Sequence, residues 1–365
     1  MVDKQKIVKL AKTITNYSIA VKKGEKILLR GYGFDSYPLI KEIYRECIKA
    51  GAIQVDVRFS VDELARVFFD HANESQLKSL TALDKKIADS YDAMVQIVAD
   101  KNPYELTGVD TKKIFTAQKA RKPLSDILHK KRWCLFYYPT VASAGLAKKN
   151  VEEWEDFVFD SCLKDWKKEE KKQLKFVALM KKVKHVHIKG KETDLEVKIG
   201  GQKWKTCCGK RNLPDGEIFT SPLRDGVNGV IRYNVPTRYR SHDFDWVKLW
   251  LENGKVVKEE SNNQKALTEI LNTDKGSRNY GEFAFGMNNT VTEGTRQILF
   301  DEKMGKSLHM ALGKCYESAP NGNDSNIHWD LIFNFKWGKA KLWFDGKLVF
   351  EKNKWVDKRF SFLNK

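Results

Sequence analysis

The chain has no long apolar run. Nowhere among its 365 residues do eighteen apolar side chains follow one another, so no transmembrane helix and no membrane partner are expected. Its start, Met1-Val2-Asp3-Lys4-Gln5-Lys6, leads into an amphipathic stretch and holds no apolar segment of signal-peptide length. Cysteine is sparse. The six present show no paired framework and no CxxC spacing, and two of them, Cys207 and Cys208, are adjacent. That usage points to a reduced, cytoplasmic compartment. Acidic residues are also in deficit: 48 Asp and Glu against 66 Lys and Arg leave a net charge of +18. A positive field of that size attracts anions and can support nonspecific nucleic-acid binding. Most of the excess is lysine scattered along the chain, and the densest run, Lys164 to Lys184, has glutamates mixed in. A solvated lysine-rich surface accounts for it. No helix-turn-helix, zinc-finger or RRM signature is present, so no specific nucleic-acid partner is expected.

What the chain has is aromatic residues: ten Trp, twelve Tyr and twenty Phe, enough to exclude a disordered protein. Its length fits two domains. We place them at 1–184 and 185–365. The first alternates helix and strand signals. Residues 4–19 have helical periodicity, Lys26–Arg30 reads as a strand ending at Gly31-Tyr32-Gly33, and Asp35 is a plausible N-cap for a helix with Pro38 in its first turn. Ile53–Val57, Ala93–Val98 and Trp133–Tyr138 read as further strands, which together predict an α/β sheet. Gly31-Tyr32-Gly33 lacks the third glycine of a dinucleotide fingerprint, because position 36 is Ser, and reads as a tight connection rather than a phosphate loop. Residues 150–184 read as one long charged helical stretch. From His185 the pattern turns to β, and the second domain reads as α+β. His185 and His187 share a strand face without an evident carboxylate partner. Residues 225–300 read as short strands and turns, 302–316 as a helix, and Lys339–Phe350 as a hairpin about Asp345-Gly346.

Five residues stand out as candidate metal ligands: Glu217, Glu282, His309, His328 and Asp330. Two glutamates, two histidines and an aspartate make a mixed N/O set suited to one or two divalent cations that activate a water. His328 and Asp330, at i and i+2 of a strand, project to one face and would be costly to bury unpaired. Metal ligation would satisfy both, and so would a plain His–Asp hydrogen bond. On the expected helix, His309 and Tyr316 at i+7 point the same way. Glu217 and Glu282 each sit beside a glycine at the mouth of a probable strand. Spacing alone leaves metal site and ordinary surface open.

The surrounding residues carry a resemblance. Arg211-Asn212-Leu213-Pro214-Asp215-Gly216-Glu217-Ile218-Phe219, Gly281-Glu282-Phe283-Ala284-Phe285-Gly286-Met287-Asn288, Leu299-Phe300-Asp301-Glu302-Lys303 with His309 and Tyr316, and Asn326-Ile327-His328-Trp329-Asp330 resemble, in order, the four metal motifs of the thermophilic metallo-aminopeptidases (the aminopeptidase T, aminopeptidase S and PepS group). The resemblance implies a two-domain hydrolase that removes N-terminal residues from peptides. It also implies a dinuclear centre in the C-terminal catalytic domain, and a homodimer. The metals would be zinc or cobalt, with manganese or magnesium as alternatives. Glu217, Glu282, His309, His328 and Asp330 would be the ligands, and Tyr316 matches the catalytic tyrosine. Glu217 or Glu282 would relay the proton, and the sequence does not choose between them. The chain departs from the pattern in a shorter Tyr316–His328 segment and in Leu331–Trp337, where a Gly-Ser-Pro type turn is expected. A catalytically divergent member acting as a binding or scaffold protein is the alternative.

Overall fold

The computed structural model describes residues 3–240 and 242–364. By contacts the chain divides into two units. One runs through Leu163 and also takes in Gly209–Pro214; the other comprises Lys164–Cys208 and continues from Asp215. This division falls ahead of the 184/185 boundary expected from the sequence. The cause is local: the expected single helix over 150–184 is two, Val151–Cys162 and Trp166–Met180. Asp165 caps the second by accepting a hydrogen bond from the Lys168 amide at 3.0 Å. Phe176, Val177 and Met180 of that helix then pack into the core of the second unit.

In the first unit, Lys26–Tyr32 lies in a five-stranded parallel sheet, between Gln54–Ser60 and Ala93–Val98. Arg132–Tyr137 follows, and the two-residue strand Asn212–Leu213 closes the edge. Ile27, Leu28 and Leu29 are all buried, as expected of a parallel strand covered on both faces. Gly33 makes the tight connection into the next helix. Its φ is +87°, and a Cβ there would lie 2.1 Å from the carbonyl oxygen of Ala99. That helix is Tyr37–Lys49, with Ser36 rather than Asp35 in the capping position, because Phe34–Ser36 form a 3₁₀ turn. The first helix, Lys4–Thr13, runs on as a π turn over Ile14–Ser18.

The second unit has a two-stranded sheet that pairs Thr237–Tyr239 with His242–Phe244, and two large antiparallel sheets around one core. The larger has eight strands. Val186, Ile188, Leu195, Val197, Leu249 and Phe344 point from it into that core. The smaller orders its strands as His328–Asn334, Ser307–Gly313, Tyr280–Gly286, Glu217–Thr220 and Lys205–Cys207. The hairpin about Asp345-Gly346 pairs Lys341–Phe344 with Lys347–Glu351. Two expectations are corrected. The region 225–300 contains a helix, Gln264–Leu271, whose Ala266, Leu267, Ile270 and Leu271 recur at helical spacing and are buried. Residues 302–316 are not a helix: Ile298–Asp301 forms one turn, and Ser307–Gly313 is a strand. Leu308, Met310 and Leu312 alternate into the core, so the period that decides this segment is two.

Among the described residues, no helix is long and apolar enough to cross a membrane. All six cysteines are free thiols. His185 and His187 lie on a strand, and each does meet a carboxylate. His187 Nε2 lies 2.7 Å from Asp194, and His185 Nε2 3.5 Å from Glu196.

Candidate metal centre

The two faces of the smaller sheet have opposite chemistry. Ile218, Phe283, Phe285, Leu308, Met310, Leu312, Trp329, Leu331 and Phe333 fill the core on one side. Strand alternation therefore sends Glu217, Glu282, His309, His328 and Asp330 to the other. Register sets their spacing. Glu282, Ala311 and Asp330 form one row across three strands, and Ala284 lies beside His309. The two alanines are small enough to leave room between the longer polar side chains. Gly281 is needed for the same sheet to close, since a Cβ there would lie 2.4 Å from the carbonyl oxygens of Gly313 and Lys314. All five sequence-nominated ligands thus come together, His309 from a strand rather than the expected helix.

Glu282 is the shared member. Its Oε1 lies 3.5 Å from His309 Nε2 and its Oε2 lies 3.4 Å from His328 Nε2. His309 Nε2 is also 3.4 Å from Glu217 Oε2 and 4.0 Å from Asp330 Oδ1, and His328 Nε2 is 3.7 Å from Asp330 Oδ2. The donor atoms of these five fall into two groups, Glu217–Glu282–His309 and Glu282–His328–Asp330, and a third group, Cys207–Asp215–Glu217, shares Glu217. Within each group they lie within 4.8 Å of one another. His328 Nδ1 lies 2.8 Å from the carbonyl oxygen of Lys314; donation there leaves Nε2 as the lone pair facing the carboxylates.

The electrostatics match this crowding. Burial works against the charged form of His309, yet Glu282, Glu217 and Asp330 push its pKa up to about 9. Burial likewise opposes charge on His328, and Asp330 and Glu282 raise it to about 10. Burial would raise Glu282, but the two histidines hold it well below the usual carboxylate range. Glu217 is pushed up by burial against the pull of Lys303. The set therefore concentrates negative potential that protons neutralise, and a divalent cation can take their place, releasing them. Glu217 Oε2 and Asp330 Oδ1 are buried without a hydrogen-bond partner, which is costly unless something else coordinates them. Five N and O donors with two unsatisfied oxygens fit hard or borderline divalent metals.

Tyr316 follows the His309 strand on an irregular segment and is half exposed. Its ring lies 4.8 Å from that of His328 and 5.4 Å from that of Phe219. It reaches the site through this packing and not through the expected i+7 helical relation. Crowding about the hydroxyl, with Glu282 and Asp330 nearby, pushes its pKa well above the ordinary value. It is a protonated donor at neutral pH.

The sequence nominated no role for Lys303, which is 1% exposed. Its Nζ lies 2.7 Å from Glu217 Oε1, 2.6 Å from Glu302 and 3.6 Å from Asp215. Nothing distinguishes this lysine in a chain with 66 Lys and Arg except its place directly after Asp301-Glu302.

A second support lies behind His328. Asp274 accepts from the Asn326 amide at 2.6 Å, from Ser325 Oγ at 2.7 Å, from Ser277 Oγ at 2.9 Å and from the Gly276 amide at 3.0 Å. It thereby ties down the segment that enters the His328 strand. Partial burial opposes the charge, but these bonds lower the pKa to about 2, against an unfolded value of about 3.9. Because the folded pKa is depressed, the stabilisation is present above pH ~4 and is lost as pH falls through about 2. Asp274→Asn should cost about 1–2 kcal/mol at neutral pH after allowing for solvent screening. Urea midpoints measured at descending pH should show the gap to wild type closing below pH ~4. A gap that does not change with pH would contradict this role.

The family model for thermophilic metalloproteases (M29) matches residues 3–341. Aminopeptidase 2 of Geobacillus stearothermophilus is 26% identical, over 93% of this chain and 93% of its own. Wild-type AmpT from Thermus thermophilus superposes with a TM-score of 0.84 at 22% identity, covering 97% of this chain and 99% of that one. A 2,5-dihydroxypyridine dioxygenase from Pseudomonas putida superposes with a TM-score of 0.62 at 13% identity, over 99% of this chain and 100% of that one. The scaffold is thus shared by proteins named for different activities, and the chemistry is set by the site.

Proposed function

The chain belongs to the thermophilic metalloproteases (M29), and from that premise we propose that it is an aminopeptidase working through two divalent metals held by Glu217, Glu282, His309, His328 and Asp330. The observation that carries the reading is Glu282, with one carboxylate oxygen turned to each histidine and so common to both donor groups. Zinc and cobalt suit the mixed N/O set, and manganese or magnesium would find fewer of their preferred oxygens. When bound, such ions acidify a coordinated water and polarise a carbonyl. We place the protein in the cytoplasm, as a homodimer acting on peptides with a free N-terminus.

The residues divide the work. Glu282 has one oxygen toward each histidine, whereas Glu217 has Oε1 on Lys303 and Oε2 without a hydrogen bond, 3.4 Å from His309 Nε2. Glu217 is therefore the carboxylate placed to take a proton from the attacking water and return it to the leaving amine nitrogen as the C–N bond breaks. Burial, which raises its pKa, suits it to that exchange. Tyr316, held as a protonated donor beside His328, hydrogen-bonds the tetrahedral oxyanion. The acidic pocket of Glu217, Glu282 and Asp330 favours the protonated α-amine of a free N-terminus and disfavours a blocked one.

Tyr316→Phe should lower kcat about 10²-fold or more while metal content is unchanged. Full kcat in that variant would remove Tyr316 from the mechanism. The reading as a whole is tested by aminoacyl-p-nitroanilide hydrolysis with added Zn²⁺ or Co²⁺, beside the same substrates N-acetylated. Release from the free amines alone is expected. No release across a range of aminoacyl groups, with metal bound, would favour the binding or scaffold alternative.

A further inference from the structure

The parallel sheet of the first unit carries an open pocket of about 490 Å³, lined by the sheet, the helix Ala82–Asp89 and the helix Thr111–Lys130. Register explains its polar wall. Arg30 pairs with Arg58 on one neighbouring strand and with Gln96 on the other, so two guanidiniums stand side by side on one face. Arg121 adds a third from the long helix. Like charges on directly neighbouring strand positions destabilise a sheet unless something lies between them. No carboxylate forms a salt bridge with any of the three among the described residues; Arg30 and Arg121 lie only over the rings of Tyr32 and Phe68. The acid that faces them, Asp84, uses one oxygen, Oδ2, on the helix cap, accepting from the Thr81 amide at 2.9 Å and Thr81 Oγ1 at 2.6 Å. Beneath the arginines the floor is apolar, built of Leu28, Met94 and Leu128, with Tyr91 at the side.

The position is informative in its own right. The chain builds this sheet outward from Lys26–Tyr32, first to one side with Gln54–Ser60 and then to the other with Ala93–Val98. The order therefore reverses between Lys26–Tyr32 and Ala93–Val98, and open α/β sheets bind ligands near such a reversal, at the carboxyl ends of the strands. Arg30, Arg58 and Gln96 all belong to the carboxyl-terminal halves of their strands.

We infer that this pocket binds a phosphate monoester with an aromatic or apolar body, the phosphate between Arg30 and Arg58 and the body on the Leu28–Met94–Leu128 floor. Paired guanidiniums match a phosphate bidentately, and the volume suits a nucleotide-sized molecule. The site is separate from the metal centre, and its test does not depend on peptide hydrolysis.

The probe is adenosine 5′-monophosphate, titrated calorimetrically into the full-length, metal-loaded protein at low ionic strength, with adenosine and inorganic phosphate titrated in parallel. One AMP per chain is expected with a Kd below about 1 mM, with adenosine and inorganic phosphate each at least about tenfold weaker. Arg30→Gln and Arg58→Gln should each weaken AMP at least about tenfold. Arg121→Gln, on an exposed helix surface where folding is not at risk, should weaken it too. Failure to bind AMP, affinity untouched in all three variants, or inorganic phosphate binding as tightly as AMP would overturn the inference.

Discussion

Glu282→Gln should strip the metal centre of both ions and reduce peptide hydrolysis by about four orders of magnitude or more. The expectation follows from geometry. Glu282 is the member common to both donor groups, with Oε1 toward His309 and Oε2 toward His328. An amide offers one weaker oxygen donor and one N–H₂ that cannot coordinate. One histidine therefore loses its carboxylate partner whichever way the side chain turns. His328→Ala is the informative comparison. It removes a ligand from one group only, so it should lower metal content by about half where Glu282→Gln lowers it to background. Equal metal loss in the two variants would mean that the groups do not share Glu282. The substitution is nearly isosteric and leaves the core face of the sheet untouched, so folding should survive. Circular dichroism would verify that.

The second large effect is on Lys303. This ammonium is buried against Glu217, Glu302 and Asp215, and burial would by itself favour its neutral form; the three carboxylates hold it charged. Lys303→Met removes the positive charge and leaves the carboxylates facing one another in a dry interior. Breaking a buried charge cluster from one side costs about 3–5 kcal/mol, and the metal-free protein should lose stability on that scale in urea. Lys303→Met with Glu217→Gln should recover part of the loss, because one of the stranded charges is gone. A single-variant loss under about 1 kcal/mol, or no recovery in the double variant, would show that Lys303 is not the counter-charge of this cluster. Metal content of Lys303→Met is a useful second readout. Without its tether at Oε1, Glu217 is free to rotate away from His309, so the Glu217–Glu282–His309 group should weaken more than the other.

How far the site could be read from the chain depended on its local period. His328 and Asp330 alternate in Asn326–Ile332, a stretch of strand composition, and they occupy one face of a strand as read. Glu217 and Glu282, beside glycines and bulky apolar residues, were likewise read onto strands. His309 lies with Glu217 and Glu282, but on a strand and not on the expected helix. Leu308, Ala311, Leu312 and Cys315 satisfy a helical spacing as well as Leu308, Met310 and Leu312 satisfy an alternating one. Only pairing with the strands on both sides decides between them. The same ambiguity hid the helix Gln264–Leu271 in a segment dominated by polar residues. Lys303 and Asp274 were not legible at all. Each joins near neighbours to residues far away in the sequence, and a single charged side chain has no periodicity to betray its burial. The parallel sheet of the first unit was the easiest part, since buried parallel strands read as short unbroken apolar runs between turn residues.

The central claim is that one carboxylate, Glu282, joins two metal positions in a single site. Cobalt titration of metal-free protein, followed by visible absorption, tests it most directly. The account predicts absorption that saturates at two equivalents of Co²⁺ per chain in the wild type, at one in His328→Ala, and is absent in Glu282→Gln. Saturation at one equivalent in the wild type, or a full two-equivalent titration in Glu282→Gln, would contradict it.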